Sequence, residues 1–328
     1  MNRPATTPFP IPVVSLLGPG SQPEDEAPDI VPMPQGMSTY QPPQLPEPEA
    51  LASHPGCVRA LQQVLDALRS LVAGGTAAVP TRVVDLGGLD ADARRLLNQV
   101  LGEGEVAAQV LGTAGIAQVA PAAPPAVPFA PEATGQRTDA RVRVQESVFA
   151  GVWRVLHLGP DGAVVRDRLE VGTLPQPLLD AAAEDGVRSA RSPAPGPAAA
   201  AEPLPADVMN APSLLAELED QRRQWKPGDA PHVINLSLLP LTDGDSQHLT
   251  REVGEGRVVI LSRGYGNCRI TSTRLPRTWR VTYFNSTDRI ILDTLEISRV
   301  PEVACASLED LEDSAERVAE VLQWVQAG

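Results

Sequence analysis

Apolar residues recur at helix and strand spacing along residues 51–186, and this pattern predicts an α+β unit. An apolar stripe over 56–73 predicts a helix that ends at a glycine pair, and 82–86 predicts a strand. A short helix is expected to begin after Asp90, and a Gly-Glu-Gly turn at 102–104 should lead into the next strand. Further strands are predicted over 106–111, 142–146, 151–158 and 163–171, and a short helix over 176–185 closes the unit.

The C-terminal part of the chain repeats this succession of elements. A helix is predicted over 211–224, a strand over 232–236, and a looser segment over 243–252. The last helix has the clearest signal, because Ser307 and Asp310 resemble a capping pair and an apolar stripe follows them. That stripe consists of Leu308, Leu311, Ala315, Val318, Leu322 and Val325. The intervening strands are predicted over 257–262, 269–273, 278–284 and 289–297.

The two parts also match in sequence, which predicts an internal duplication. The Gly-Glu-Gly turn at 102–104 recurs at 254–256, and the Trp-Arg-Val run at 153–155 recurs at 279–281. Matches that keep a fixed order along the chain are the signature of repeated units. The predicted fold class is α+β, with two diverged tandem repeats, each a helix, a strand, a short helix and an antiparallel β-meander with a closing helix.

Proline and alanine content divides the chain into segments. Residues 1–50 are rich in proline, which excludes helix and predicts an extended arm, either a disordered tail or a segment docked on a folded domain. An Ala/Pro-rich insertion over 112–139 has no counterpart in the second repeat, and 187–206 is typical of a semi-rigid linker. The predicted domains are therefore the first repeat at 51–186 and the second repeat at 207–328.

Composition and charge restrict the partners and the compartment. The formal net charge is −14, so the chain repels phosphate backbones and nucleic acid is not an expected partner. No run approaches the roughly 20 apolar residues that a membrane helix needs, so direct membrane insertion is not expected. Cys57, Cys268 and Cys305 form no CxxC pair, which predicts a reduced, cytoplasmic protein.

No group of residues specifies a reaction. The run Gly18-Pro19-Gly20-Ser21-Gln22 lacks the GK[ST] ending of a phosphate loop and any helix after it. Ser21 also lacks the surroundings of a nucleophile elbow. The sequence therefore predicts a binding protein with no enzyme activity and no cofactor.

Cys268 has two competing interpretations. Arg263 and Arg269 flank it in sequence, so positive charge could lower the pKa of its thiol and suit it to a metal or redox role. Alternatively, Cys268 alternates into the core of its strand, as free cysteine commonly does, and this interpretation is favoured. His54 and Cys57 could meet across one helical turn, but two ligands do not close a zinc site.

Several paired residues receive structural interpretations. Glu103 and Glu255 lie in the two Gly-Glu-Gly turns, where a carboxylate can accept N–H bonds from the bend. Trp153 and Trp279 occupy equivalent strand positions and are expected to anchor core or cross-strand contacts. The acidic face of the last helix is either simply solvated or receives an arginine-bearing partner.

Longer motifs resemble those of a known protein family. Residues 145–155 read QESVFAGVWRV and residues 261–270 read LSRGYGNCRI. Shorter matches lie at 18–22, 101–106, 283–286 and 309–317. Together these motifs span nearly the whole chain and resemble the HupH/HyaF/HoxQ family of hydrogenase accessory proteins. The chain departs from the family at the Ala/Pro-rich insertion, which is larger than this family usually carries.

The resemblance implies a role in maturing a membrane-bound uptake [NiFe]-hydrogenase. The implied partner is the iron–sulfur small-subunit precursor, whose twin-arginine export signal an acidic binder could engage, and other hydrogenase accessory proteins are further candidates. The alternative is metal or cluster handling or nickel incorporation for the same hydrogenase, although three scattered cysteines are too few for a Cys₄ cluster within one chain. The candidate partner-binding residues are Gly18, Gly20, Ser21, Gln22, Glu103, Glu146, Trp153, Glu255, Arg263, Tyr265, Asn267, Cys268, Trp279, Asn285, Glu309, Asp310 and Asp313.

Overall fold

Ten β-strands pair antiparallel into one sheet in the computed structural model, which describes residues 45–74, 81–112, 140–191, 204–263 and 266–327. The strands are β1 Arg82–Asp85, β2 Val106–Leu111, β3 Ala140–Glu146, β4 Val152–Leu158, β5 Val164–Val171, β6 His232–Asn235, β7 Glu255–Ser262, β8 Asn267–Thr273, β9 Thr278–Phe284 and β10 Ile290–Ile297. Tyr265, residues 113–139 of the insertion and the candidates Gly18, Gly20, Ser21 and Gln22 lie outside the described residues.

Seven helices of the described residues accompany the sheet. They are α1 Pro48–Ala52, α2 Pro55–Gly74, α3 Ala91–Leu101, α4 Gln176–Arg191, α5 Ala211–Gln224, α6 Asp243–Val253 and α7 Leu308–Ala327. Short 3-10 turns follow β6 at Leu236–Leu238 and β10 at Glu302–Ala304. No helix in these ranges combines the length and apolar character needed to cross a membrane. The architecture is α+β, with helices on a large antiparallel sheet.

The strand order is the same when read outwards in either direction from the centre of the sheet. The order is β1-β5-β4-β3-β2-β7-β8-β9-β10-β6, so the first and second halves of the chain contribute five adjacent strands each. The halves join where β2 pairs antiparallel with β7, with Ala108 opposite Ile260. Both strands carry buried aliphatic side chains at this junction, so one apolar cluster spans the two halves.

Helices cover the two faces of the sheet unequally. One face carries Trp153, Val155, Ile270 and Val281 under α4 and the turn at Glu302–Ala304. On the opposite face, α1, α2, α3 and α7 form a large apolar cluster over the first half. Only α5 and α6 of the described helices contribute to the smaller cluster over the second half. This unequal cover leaves part of the second half of the sheet accessible.

The structure departs from the sequence prediction at α6 and α7. The segment predicted as loose over 243–252 is α6, which begins with a capping box between Thr242 and Asp245. The last helix, α7, was expected to close the second repeat, but it packs on α2 and α1 of the first half. Conversely α4, from the first half, packs against β7 of the second half. Each of these helices therefore ties one half of the chain to the other.

Candidate functional site

The first Gly-Glu-Gly turn is locked against the loop that joins β3 to β4. Gly102 caps α3 with φ 55°, a left-handed conformation that favours glycine. The Gly104 N–H donates to the Glu146 carbonyl at 2.7 Å, and a Cβ on Gly104 would lie 2.3 Å from the Ser147 carbonyl oxygen. The Val148 N–H donates to the Leu101 carbonyl at 2.8 Å. The turn therefore fixes the start of the β3–β4 loop.

Helix α7 holds this loop from the other side. The Arg317 guanidinium donates to the Val148 carbonyl at 3.1 Å and lies 5.2 Å from the centroid of the Phe149 ring. Leu311 packs against Gly151, which has φ 76° and no room for a side chain. The loop residues thus depend on a helix that is more than 150 residues away in sequence (Arg317 and Val148 are 169 apart).

Glu146 lies at the centre of this region and is only 8% exposed. Burial raises the pKa of its carboxyl to about 7, although the Gly151 N–H, 3.4 Å from Oε1, lowers it, and the charges of Glu105 and Asp310 raise it further. A carboxyl with this pKa changes charge near neutral pH. The charge that Glu146 contributes to this region therefore changes near neutral pH.

Exposed carboxylates of the two segments that contact the β3–β4 loop, the Gly-Glu-Gly turn and the start of α7, define together with Glu146 what we call the acidic corner. Its members are Glu103, Glu105, Glu146, Glu309, Asp310 and Asp313. Ser307 and Asp310 form the expected reciprocal cap at the start of α7, and Asp313 pairs with Arg317 at 3.5 Å. Glu103 is exposed, and among the described residues no N–H group of the turn donates to its carboxylate. The expected role of Glu103 within the bend is therefore wrong, and its charge faces solvent.

The two candidate tryptophans, one in each half, are buried in the core. Trp279 is 2% exposed, as its counterpart Trp153 is fully buried with Nε1 donating to the Gly172 carbonyl at 2.8 Å. Neither indole can reach a partner surface. The Asn285 side-chain oxygen accepts from the Thr287 N–H and the Arg289 N–H, so it organises its own turn. Trp153, Trp279 and Asn285 therefore have structural roles, as the strand positions of the two tryptophans predicted for that pair.

Cys268 is also a core residue. It is fully buried, and burial raises the pKa of its thiol to about 12, with Glu296 raising it and a hydrogen bond from Tyr283 lowering it. The idea that Arg263 and Arg269 lower this pKa is wrong, because Arg269 alternates to the opposite face of the sheet from its neighbour. Asn267 is half-buried at the start of β8, and Arg263 is exposed with its N–H donating to the Glu105 carbonyl at 3.2 Å.

The cysteines and histidines do not converge on a metal site. The Cys57 thiol donates to the Ala93 carbonyl at 2.9 Å, whereas His54 Nδ1 lies 3.0 Å from the Ala50 carbonyl. Burial raises the pKa of the half-buried Cys305 thiol to about 11. Within the described ranges, no three His, Cys, Asp or Glu side chains are placed to hold a metal ion.

Each half has one Arg–Asp ion pair on the face of the sheet that carries α3 or α6. The two pairs occupy equivalent positions, and the sequence prediction missed both. Arg154 binds Asp167 through Nε at 3.1 Å and Nη2 at 2.8 Å, and Arg280 binds Asp293 in the same two-point way at 2.9 Å and 2.6 Å. A helix residue contacts each arginine: Asn98 of α3 in the first half and Thr250 of α6 in the second. The recurrence of Asp167 as Asp293 at the same offset as the Trp-Arg-Val runs was the signal that could have found these pairs.

A cavity of about 300 Å³ lies beside the second of these pairs. It is bounded by β10, α6 and the turn at Leu236–Leu238, and it opens to solvent past the exposed Ile290 and Leu239. Its walls combine aliphatic side chains with Arg280, Asp293 and Glu255. Glu255 of the second Gly-Glu-Gly turn thus faces this cavity, since its carboxylate is exposed and makes no hydrogen bond within the bend in the part of the chain that the structure describes.

One further buried network was absent from the sequence prediction. Arg257 of β7 donates Nε to Asp185 at 2.7 Å and Nη2 to Glu184 at 2.7 Å, and its own backbone N–H also donates to Asp185 at 2.7 Å. Asp185 and Glu184 belong to α4, so this network joins the first half to the second. It supports the junction of the sheet without lining either the acidic corner or the cavity.

Comparison with known proteins finds relatives that match almost the whole chain. The model of "HupH hydrogenase expression protein, C-terminal conserved region" matches residues 133–194 and 208–325. The chain is 47% identical to "Hydrogenase expression/formation protein HoxQ" of Cupriavidus necator, over 97% of this chain and 98% of the relative. It is 41% identical to "Hydrogenase expression/formation protein HupH" of Rhodobacter capsulatus, over 97% and 98% of the two chains.

More distant relatives match as well. The chain is 32% identical to "Hydrogenase-1 operon protein HyaF" of Escherichia coli, over 94% of this chain and 95% of the relative. Among solved structures, it is 30% identical to "Hydrogenase expression protein HupH" from Thiobacillus denitrificans. That match covers 35% of this chain and 93% of the other chain, with a TM-score of 0.31.

Proposed function

Because the chain belongs to the HupH family of hydrogenase expression/formation proteins, we propose that it acts in hydrogenase maturation as a chaperone. Its client is the precursor of the iron–sulfur small subunit of a membrane-bound uptake [NiFe]-hydrogenase, held before export and before assembly with the large subunit. The relatives are named as hydrogenase expression/formation proteins or, for the Escherichia coli relative, as a hydrogenase operon protein, and not as enzymes, which agrees with a binding role.

The acidic corner is the observation that supports this client. Four of its carboxylates are exposed on the first two turns of α7 or on the first Gly-Glu-Gly turn, namely those of Glu103, Glu309, Asp310 and Asp313. A concentration of negative charge on a chain of net charge −14 accelerates association with a cationic segment and selects against acidic ones. The export signal of the proposed client carries two adjacent arginines, so its charge is complementary to this surface.

The location and the ancestry of the two halves form part of the same proposal. A client that is held before export places this protein in the cytoplasm. We also propose that the halves arose by tandem duplication, supported by the matching strand order and by the two equivalent Arg–Asp pairs. On this view the sheet is an inherited framework, and the binding surfaces are what each half added to it.

A pull-down from cells that express the hydrogenase operon tests the proposed client. Tagged protein should retrieve the small-subunit precursor with its signal, without the large subunit. Reversing two exposed charges of the acidic corner, Glu309→Lys with Asp313→Lys, should reduce retrieval at least tenfold. Asp310 is left intact because it caps α7.

The matched control reverses two exposed carboxylates of α5, Glu217→Lys with Asp220→Lys, so the net charge changes equally. This control should retrieve the same amount of precursor as the unchanged protein. Equal retrieval by the two double variants would show that the acidic corner is not the binding surface. Failure of the unchanged protein to retrieve any precursor would refute the proposed client.

A further inference from the structure

An arginine of the first half occupies the position at which the second half has its cavity. Arg94 of α3 donates Nη2 to the Leu89 carbonyl at 3.1 Å and to the Leu86 carbonyl at 3.4 Å, and its Nε lies 3.7 Å from Asp167. The guanidinium is thus held by two backbone oxygens and one carboxylate, beside the Arg154–Asp167 pair. The Arg94 side chain is 37% exposed, so it is only partly enclosed.

The equivalent position in the second half carries a serine. α3 and α6 have the same length, and each ends at a Gly-Glu-Gly glycine, Gly102 or Gly254, whose N–H bonds the helix residue four positions back. This alignment places Ser246 opposite Arg94, and Ser246 lines the cavity of about 300 Å³. The second half therefore lacks the guanidinium and keeps the room for it.

The groups that bind the Arg94 guanidinium have counterparts around the cavity. Leu236 and Leu239 follow β6 as Leu86 and Leu89 follow β1, and in both turns the first carbonyl accepts the N–H of the second leucine, at 3.3 Å and 3.1 Å. A carbonyl oxygen has two lone pairs, so each of these oxygens can accept a further bond. Asp293 takes the place of Asp167.

The charge around the cavity favours a cation. Asp293 and Glu255 line it with the single cation Arg280 among the described lining residues, whereas in the first half Arg94 adds a second cation beside Asp167. The aliphatic walls, Leu241, Leu249 and Ile290 among them, suit the methylene stem of a long side chain and apolar neighbours in a peptide. Several separate acceptors, two carbonyls and a carboxylate, match the planar guanidinium with its five N–H donors better than the compact charge of lysine.

We propose that this cavity binds an arginine side chain of a partner polypeptide, in the position that Arg94 occupies within the first half. The site rests on the geometry above, and the identity of the arginine's owner rests on the proposed function, whose client carries two arginines. The arginine pocket lies on the second half, whereas the acidic corner lies at the β3–β4 loop and the start of α7. It is therefore a binding element separate from the acidic corner.

An NMR titration of the full chain tests the pocket directly. The probe is an acetylated and amidated tripeptide of leucine, arginine and leucine, and its analogue has citrulline, a neutral isostere, in place of arginine. The arginine peptide should shift the amide signals of Ser246 and Thr250 in a saturable way, and the citrulline peptide should bind at least tenfold more weakly. Absence of saturable shifts at millimolar peptide, or equal binding of both peptides, would overturn the proposal.

Ser246→Arg should block the cavity, because the new side chain can take the position there that Arg94 has in the first half. This variant should bind the arginine peptide at least tenfold more weakly, whereas Gln247→Arg, which adds the same charge at the neighbouring exposed position outside the cavity lining, should bind as the unchanged protein does. Ser246→Gln fills the cavity in part and should also weaken binding, which keeps the test decisive if the arginine variant fails to fold. Unchanged affinity in a folded Ser246→Arg protein contradicts the assignment.

The same variants separate the pocket from the chaperone proposal. If Ser246→Arg loses the peptide and still retrieves the precursor in full, the pocket stands but serves another partner. If the unchanged protein binds the arginine peptide and retrieves no precursor, the proposed client fails and the pocket stands. If the precursor is retrieved and the peptide is ignored, the pocket fails and the chaperone proposal stands.

Discussion

Glu146 should make the stability of the protein depend on pH near neutrality. Its carboxyl is buried, and its pKa in the folded protein is about 7, whereas the unfolded chain has the ordinary value near 4.5. The folded state therefore holds a proton that the unfolded state releases first. The stability that this proton contributes is fully present below the pKa of the unfolded chain and is lost as the pH rises through the pKa of the folded protein.

The size of this effect follows from the difference between the two pKa values. A difference of about 2.5 units corresponds to about 3 kcal/mol, of which about 2.5 kcal/mol develops between pH 5 and pH 8. Glu146→Gln keeps an oxygen for the Gly151 N–H and removes the titrating proton. The free energy of unfolding that the variant gains over the unchanged protein should be about 2.5 kcal/mol larger at pH 8 than at pH 5.

Denaturant unfolding at pH 5, 6, 7 and 8, followed by circular dichroism, measures this difference. Glu103→Gln is the matched control, because Glu103 is exposed in the neighbouring turn and its substitution should give a small change that is the same at every pH. A stability difference for Glu146→Gln that does not change with pH would show that Glu146 is ionised in the folded protein across this range. The account of the acidic corner as a region whose charge varies near pH 7 would then be wrong.

Two further substitutions test the contacts that join the halves and fix the first turn. Asp185→Asn should destabilise the fold by about 3 kcal/mol, because it leaves the Arg257 guanidinium buried without its main partner. Glu184→Gln, at a carboxylate whose side chain is 58% exposed, should cost less than about 1 kcal/mol. Thermal unfolding compares the two variants, and equal losses of stability would contradict this difference. Gly104→Ala should lower the melting temperature by several degrees because its Cβ meets a loop carbonyl at 2.3 Å, while Gly88→Ala, with open space around it, should have little effect; a neutral Gly104→Ala would mean that the loop moves freely.

Sequence patterns were sufficient for elements with a strong period of their own. The bounds of β9 and α5 agree with the prediction, because β-branched and aromatic residues alternate in the one and the other has clear polar ends. Helix α6 was missed because Leu249 and Val253 are its main buried apolar residues, which give a weak stripe. Its start depends on Asp245, which accepts three N–H bonds from Met209, Asn210 and Ala211 at the beginning of α5.

Contacts between distant segments could not be predicted from the sequence. The apolar stripe of α7 indicates that one face is buried, but not that α2 and α1 bury it. The junction of β2 with β7 likewise depends on which strand edges remain unpaired after each half has folded. For the same reason, the candidate residues could be assigned to motifs, whereas their separation into an acidic corner, a buried core and a cavity wall required the structure.

The differences between the halves are more informative about binding than their similarities. The Arg154–Asp167 and Arg280–Asp293 pairs, the buried tryptophans and the glycine caps recur in both halves, so they account for the framework. The halves differ at two places: α7 packs over the first half only, and Arg94 of the first half corresponds to Ser246, which lines the cavity of the second half. A framework that stabilises both halves equally has no need of such differences. We propose that they serve partner contacts, because both the acidic corner and the arginine pocket arise at these points of divergence.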